Sequence, residues 1–525
     1  MAVDFTAWLT DQKAVRCVLV EAVSSVNGSN VTRYLSSKNY TDNVSGRIYD
    51  PIIAAESIQL VERMSVDGQP SMSFGDIELY NLDGALDSWL RDIWVNKSIT
   101  ILIGDVRWLR ADFTTIFSGT IDDIDSRSAN TINIKVRDKL QRLNTPISEV
   151  RLGGSSVNKN ELIPLSFGEC FNVKPLLSNP ATLEYRVHQG GISSNTIEGA
   201  IEVRDNGVPV GFSYVESLVK TRFTLTAQPF GQVTASIQGI KDSSTWINTV
   251  SKVIQKIVTT YGGENKLVSG DLDTDQLDSF DTANPQPVGL YVESRENTLS
   301  VCNQLAASVG AQLVMSRLGK LQLLKIDLPA AGTFDITTDD IVSNSLKISN
   351  KFPVQAALKL NYCKNWSVQT GLLTGIPEEH KKMYASEWAS VTVEDTTVKA
   401  DYALDAEPQP VDTLLLKESD AIAEATRLLN IYKNPVVVVS FDGFPQLVEL
   451  VLGQAVTVTY PRFGLDSGAN GQVIGLSINW SNLTVKVDVL LALVAAAVAP
   501  TGNRIMREDG SFLLREDGSY MLRED

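Results

Sequence analysis

Residues 98–103 place Ile99, Ile101 and Ile103 on one face, and residues 131–137 set Ile132, Ile134 and Val136 against Asn133, Lys135 and Arg137. Period two with one polar face marks a half-buried strand. Between them, residues 113–121 predict another strand, broken by Gly119. Asp67-Gly68 and Asp83-Gly84 are turn signals, and residues 138–143 predict a short closing helix. A barrel or sandwich fits the block 1–150.

The next block, 151–240, reads as a smaller β domain. Asn206-Gly207 lies between the apolar pairs Ile201/Val203 and Val208/Val210, which is a hairpin signal. Residues 222–226 and 233–237 add short strands around Phe230. From 241 the period changes. Trp246, Ile247, Val250, Ile254, Ile257, Val258 and Tyr261 recur at helical spacing. Asp242, Ser243 or Ser244 would cap that helix and Gly262 would stop it. A second helix over 298–309 turns Leu299, Cys302, Leu305, Ala306 and Val309 inward and ends at Gly310. A hairpin of 311–316 and 320–328 follows, turning near Gly319 and stopped by Pro329.

The last large block starts near Lys347, with domain bounds of 351–500, and contains a strand at 357–362. A helix over 420–432 shows Ala421, Ile422, Ala425, Leu428, Leu429 and Tyr432 on one side. Strands are then expected at 436–441, 446–451, 455–460, 471–480 and 484–491, punctuated by Asp442-Gly443 and Asn470-Gly471. The expected fold class is mainly β with some α (α+β). It comprises two barrel-like β domains (1–150 and 351–500), a small β domain (151–240) and an α+β helix-hairpin domain (241–350). A C-terminal β-repeat tail (501–525) completes it. The aperiodic stretch 371–411 is either an exposed functional loop or a solvated insertion.

The tail repeats every eight residues: IMREDGSF, LLREDGSY, MLRED. With Asp509-Gly510 and Asp517-Gly518 as primed turns, it becomes a three-stranded meander. Ile505, Leu514 and Met521 then form one cross-strand row, and Met506, Leu513 and Leu522 a second row on the other face. Arg507 faces Phe512 and Arg515 faces Tyr520, as cation–π pairs. So small a meander cannot bury two apolar faces alone. Ile505, Met506, Phe512, Leu513, Leu514, Tyr520, Met521 and Leu522 are therefore candidate partner-binding residues. The alternative is a tail that stays disordered until something binds it.

Length and composition set bounds. A chain of 525 residues with 43% hydrophobic and 21% charged residues has the make-up of several globular domains. The apolar stretch 489–499 is shorter than the ~20 residues a bilayer-spanning helix needs. The first residues lack the basic and apolar segments of a signal peptide, so folding in a cytoplasm is expected, without membrane insertion. Cys17, Cys170, Cys302 and Cys363 lie far apart and form no C-x-x-C pair, which argues against a disulfide framework or zinc site. The net charge of −16, without a Lys/Arg cluster, disfavours nucleic-acid binding; it is compatible with DNA passing without adhering, and equally with an acidic surface that only keeps the protein in solution.

Catalytic patterns are missing. There are two histidines, His188 and His380, each better read as structural or solvated than as catalytic. No H-E-x-x-H, P-loop or dinucleotide fingerprint occurs, and Gly153-Gly154-Ser155-Ser156 lacks the closing glycine of a nucleophile elbow. No catalytic, metal or cofactor residues are assigned, and no cofactor is expected. A peptidoglycan hydrolase would need only two carboxylates and is the hardest enzyme class to exclude. A receptor-binding adhesin with an aromatic platform is a further alternative, although among the tryptophans only Trp89 and Trp94 lie close in sequence.

Residues 299–329 resemble a recurring segment of phage tail hub and tail-tip proteins: a helix, an SVGAQL strand entry, and a glycine-turned hairpin ending at proline. Residues 420–491 resemble the closing barrel of that family. There an Ala-rich helix precedes the strand begun by Asn434-Pro435-Val436, the LGQAVTV strand (452–458) and the RFGL segment (462–465). The LLREDGS repeats are similar to endings of phage tail proteins. This resemblance implies a structural baseplate-hub subunit of the virion tail tip, assembled in the host cytoplasm. It implies a homotrimer whose paired barrels form a pseudo-sixfold ring, with tail-tube and other tail-tip proteins as partners and a channel for genome ejection.

Overall fold

A single sheet of fourteen strands joins the two ends of the chain. The computed structural model describes residues 5–493, apart from 55–57, 66–70, 191–195, 218, 373–374 and 406. The C-terminal repeat, with Ile505, Met506, Phe512, Leu513, Leu514, Tyr520, Met521 and Leu522, lies outside the described residues.

The strands of the large sheet are β1 (Arg16–Val26), β2 (Ser29–Ser36), β3 (Gln59–Arg63), β4 (Ser71–Phe74), β5 (Ile77–Tyr80), β6 (Ser98–Asp105), β7 (Thr114–Ser128) and β8 (Thr131–Arg137). They continue as β9 (Phe334–Ile336), β10 (Lys347–Lys351), β11 (Val436–Gly443), β12 (Ala455–Val458), β13 (Ala469–Asn479) and β14 (Thr484–Ala492). Their spatial order is β2-β1-β6-β7-β8-β4-β3-β13-β14-β11-β10, with β5 on β8, β12 on β13 and β9 on β12. The predicted strands near 98 and 131 are β6 and β8, and their alternating isoleucines are buried. One apolar core runs under both halves, from Trp94, Ile101 and Phe117 to Phe441, Val473 and Val487.

The two halves repeat one plan. In the first, β5, a 3-10 turn (Asp87–Arg91), β6, β7 and β8 follow in order; in the second, β11, a 3-10 turn (Pro445–Glu449), β12, β13 and β14. The backbone aligns them residue by residue. Ile121 exchanges hydrogen bonds with residues 96 and 97, as Val473 does with 453 and 454. A β-bulge falls between Ile121 and Asp123 opposite β8, and between Val473 and Gly475 opposite β14. Two residues before each bulge stands a glycine. A Cβ on Gly119 would lie 2.6 Å from the Arg137 carbonyl oxygen, and one on Gly471 would lie 2.7 Å from the matching Leu490 oxygen. The preceding strands correspond too: Ile53 bridges Leu79 as Ile341 bridges Gly443, so β3 and β10 are counterparts.

Between the halves sits a second layer. Its six-stranded sheet includes Leu165–Val173, Ile197–Asp205, Val233–Asp242 and Gly289–Val292, and it shares a core with a four-stranded sheet. The predicted Asn206-Gly207 turn is there, with both residues at positive φ as primed turns require. After α1 (Phe5–Thr10), which precedes β1, helices α2 (Val250–Thr260), α3 (Thr274–Ala283), α4 (Thr298–Ala307) and the hairpin Ala311–Met315/Leu321–Lys325 pack around a core that also takes Leu143, Phe167 and Leu415. Gly262 and Gly310, both left-handed, follow α2 and α4 as expected.

Several expectations are corrected. The helix begins at Val250, because Asp242 and Thr245 close a hairpin through Ser243 and Ser244; the residues read as helix caps make a turn instead. Residues 445–449 form a 3-10 helix rather than a strand. Asn470-Gly471 lies within β13, and its glycine answers a close carbonyl, not a turn. Helix α3 is unpredicted, since Asp273 caps a segment whose only buried side chains are Leu277 and Phe280. The helix α7 (Glu418–Tyr432) exposes Ile422 and buries Glu424, which Arg427 and Lys325 neutralise. The stretch 371–411 carries regular structure: α5 (Glu378–Ala385), the strand Ala389–Glu394, α6 (Thr396–Tyr402) and the strand Pro410–Asp412.

Candidate assembly interface

Chemistry-bearing side chains are used for structure. His188 is buried; its Nδ1 accepts the Ser166 N–H at 2.9 Å and its Nε2 lies 3.2 Å from the Tyr261 hydroxyl. Burial drives its pKa down to about 3, so the ring is neutral. His380 lies exposed on α5. Cys17, Cys170 and Cys302 are buried, and burial raises each thiol pKa, that of Cys170 to about 12. Asp138 is raised to about 6 by burial, yet it caps the 3-10 helix Lys139–Leu143 by accepting the Leu140 N–H at 2.9 Å. Among the described residues no group of three His, Cys, Asp or Glu could hold a metal ion.

Trp89 and Trp94, the one close pair in sequence, stand 5.6 Å apart. Both are buried, with Arg33 over Trp89, so they fill the core and offer no stacking platform. A groove of about 820 Å³ opens between residues 352–358, α6 and α7, lined by Phe352, Leu358, Lys399, Glu407 and Tyr432 among others. No helix among the described residues is long and apolar enough to cross a membrane.

The seam between the halves is the best-built junction. β3 pairs with β13 from Gln59↔Asn479 to Arg63↔Gly475. Arg63 reaches across β13 to the buried Asp488 of β14 at 2.8 Å. The hairpin turn of the helical layer clamps this junction. Arg317 meets Glu62 at 2.9 Å and donates to the Val448 and Leu450 carbonyls at 3.0 and 2.7 Å, while its own carbonyl accepts the Ser118 N–H. Gln312 holds both backbone groups of Ser65.

Two surfaces among the described residues follow the repeat. The end of β5 and its connection to β6 expose Tyr80, Leu82, Leu90, Ile93 and Val95, and the corresponding connection from β11 to β12 exposes Phe444 and Val451. Both repeats thus present apolar side chains on equivalent loops. The second surface is open backbone. Among the described residues no strand pairs with the outer side of β10, or with the stretch of β7 beyond Ile121 on the side that β6 leaves. The open edges leave no signal in the sequence, because a strand edge is visible only once pairing is known.

No protein-family model matches the chain, and no curated protein matches it in sequence. Among solved structures it is similar in layout to phage tail proteins. One is the 43 kDa tail protein of prophage MuSo2 from Shewanella oneidensis (TM-score 0.38, 12% identity, covering 90% of this chain and 98% of that one). Another is the prophage tail protein gp18 from Listeria monocytogenes EGD-e (TM-score 0.39, 9% identity, 92% and 95% covered). A third is the tail protein from Neisseria meningitidis MC58 (TM-score 0.37, 11% identity, 91% and 96% covered).

Proposed function

We propose that the chain is a structural, non-enzymatic subunit of a phage tail tip. In this reading it is a hub that joins the tail tube to the distal tip and leaves a channel for DNA. The observation that carries it is the repeat: one chain holds two copies of one half-barrel, with apolar side chains on equivalent loops. Three such chains offer six equivalent loops, which matches the pseudo-sixfold ring that the sequence resemblance implies. Closed symmetry is the usual outcome for soluble homo-oligomers. The acidic balance of −16 suits a channel that DNA traverses without binding. The C-terminal repeat, through Ile505, Met506, Phe512, Leu513, Leu514, Tyr520, Met521 and Leu522, would bind the next tip protein or its own copies.

Mass photometry of the full chain with purified tail-tube subunits tests this. A species of three hub chains bound to one tube ring is expected. A chain that remains monomeric with those subunits, and that is missing from purified tails, overturns the reading.

A further inference from the structure

The repeat predicts a contact that no two described strands of one chain make. Within the chain, β3 has two partners, β4 on one side and β13 on the other. Its counterpart β10 pairs with β11 and has nothing on its outer side among the described residues. The strand that receives β3 is β13, at Gly475–Asn479, just past the bulge. With Ile121 matched to Val473, the corresponding stretch of β7 is 123–127. That stretch is also just past a bulge, and its outer side is unpaired among the described residues. One donor edge and one acceptor edge of the same design are therefore both unfilled.

We propose that β10 of one chain adds antiparallel to residues 123–127 of β7 in a second copy, reproducing between chains the β3–β13 seam within each chain. The occupant is a second copy of this chain. The side chains fit that pairing. The donor reads Lys-Ile-Ser-Asn-Lys, and all five residues are exposed. The acceptor reads Asp-Asp-Ile-Asp-Ser-Arg from 122 to 127. Asp122 and Asp125 are held by Arg137 and Lys135 on β8, but Asp123 is exposed and has no salt bridge among the described residues. Lys347 and Lys351 likewise have none there. In the antiparallel sense of the inner seam, Arg63 lies opposite Gly475, the counterpart of Asp123, which brings the Lys351 end of β10 to Asp123. Lysines on an exposed edge deter indiscriminate pairing and admit an edge with aspartates. Because donor and acceptor are different strands, the contact is head-to-tail, and it closes into a ring when successive copies are related by a closing rotation, here one third of a turn for the three copies of the hub reading. The inference rests on the proposed hub role only for the number of copies.

The test is a charge swap in the full chain, read by sedimentation velocity at micromolar concentration and in purified tails. Lys351→Glu and Asp123→Lys should each weaken ring formation by about tenfold or more, and the two together should restore most of it. Melting transitions matching the wild type show that each variant folds. As a second measurement, carbodiimide coupling of wild-type rings made from light and heavy-isotope chains should yield an interchain link between Lys347 or Lys351 and the 122–125 aspartates. Rings that persist through both single changes, or that give no such link, overturn the seam and leave the hub reading standing. A wild-type chain that is monomeric both alone and in tails overturns both.

Discussion

In the first half of the large sheet, β3 lies between two partners; in the second half its counterpart β10 has one. What the halves share is backbone geometry: the bulge, the glycine before it, and the carbonyl that the glycine accommodates. What differs is side-chain chemistry. Lys135 on β8 occupies the place of Asp488 on β14. The lysine takes Asp125 from its own hairpin at 2.7 Å, whereas the aspartate draws Arg63 from across the seam at 2.8 Å. The second half also joins β10 to β11 through the long segment 352–435, where residues 64–70 join β3 to β4 in the first. A repeat thus keeps what pairing requires and frees the charges, and the charges decide which edge meets which.

The largest expected effect tests the clamp, which only the inner seam has. Glu62 is 4% exposed and faces Arg317. Arg317→Met should cost about 3–5 kcal/mol, because it strands a buried carboxylate and removes donors from two carbonyls. Urea unfolding measures this. Adding Glu62→Gln should recover part of the loss. A single change costing under about 1 kcal/mol would show that the seam holds without its clamp.

Asp138 marks a second asymmetry, since it caps a 3-10 helix at the end of β8. Its carboxyl is raised from 3.8 to about 6, chiefly by burial. The folded state therefore favours the protonated form. The stability it contributes is complete below pH 3.8 and is lost as pH rises through about 6, reaching about 3 kcal/mol by pH 7. Asp138→Asn keeps an acceptor for the Leu140 N–H and does not titrate. The variant should match the wild type near pH 4 and exceed it at pH 7.5 in urea melts. Parallel stabilities across that range would mean that Asp138 carries its charge at no cost.

Much of the strand plan is legible because alternation reports one-sided burial directly. Residues 131–137 and 357–362 are strands with the bounds that their periodicity indicates. The turn at Asn27-Gly28 carries the same primed-turn signal as Asn206-Gly207, and both pairs have positive φ. Misreadings arise where one residue type serves two ends. Serines after Asp242 suit a cap or a turn, and only the pairing of Lys241 with Trp246 decides between them. Segment 445–451 is apolar enough for a strand, but Pro445 starts a 3-10 turn in which Leu447 and Val448 are buried. The candidate interface was not legible at all. Its signal is an unfilled edge, which exists only relative to a partner strand distant in sequence.

The smallest effect tests the equivalence of the halves most directly. A Cβ on Gly119 would lie 2.4 Å from the Phe117 ring and 2.6 Å from the Arg137 oxygen; on Gly471 it would lie 2.7 Å from the Leu490 oxygen. Neither carbonyl can withdraw without disturbing the pairing of its strand, and Phe117 is fully buried. Overpacking of this kind costs about 1–3 kcal/mol. Gly119→Ala and Gly471→Ala should each fall in that range. They should agree within about 1 kcal/mol, with Gly119 the costlier because it meets the rigid Phe117 ring at 2.4 Å, where Gly471 meets the Val489 side chain at 2.7 Å. Gly371 has open space around its Cβ position and lies in the insertion that the first half lacks, so Gly371→Ala should be near neutral. Denaturant unfolding of the three variants measures the comparison. If Gly471→Ala is as harmless as Gly371→Ala while Gly119→Ala is costly, the two bulges are not the same device. The correspondence that places β10 against β7 would then lose its strongest support.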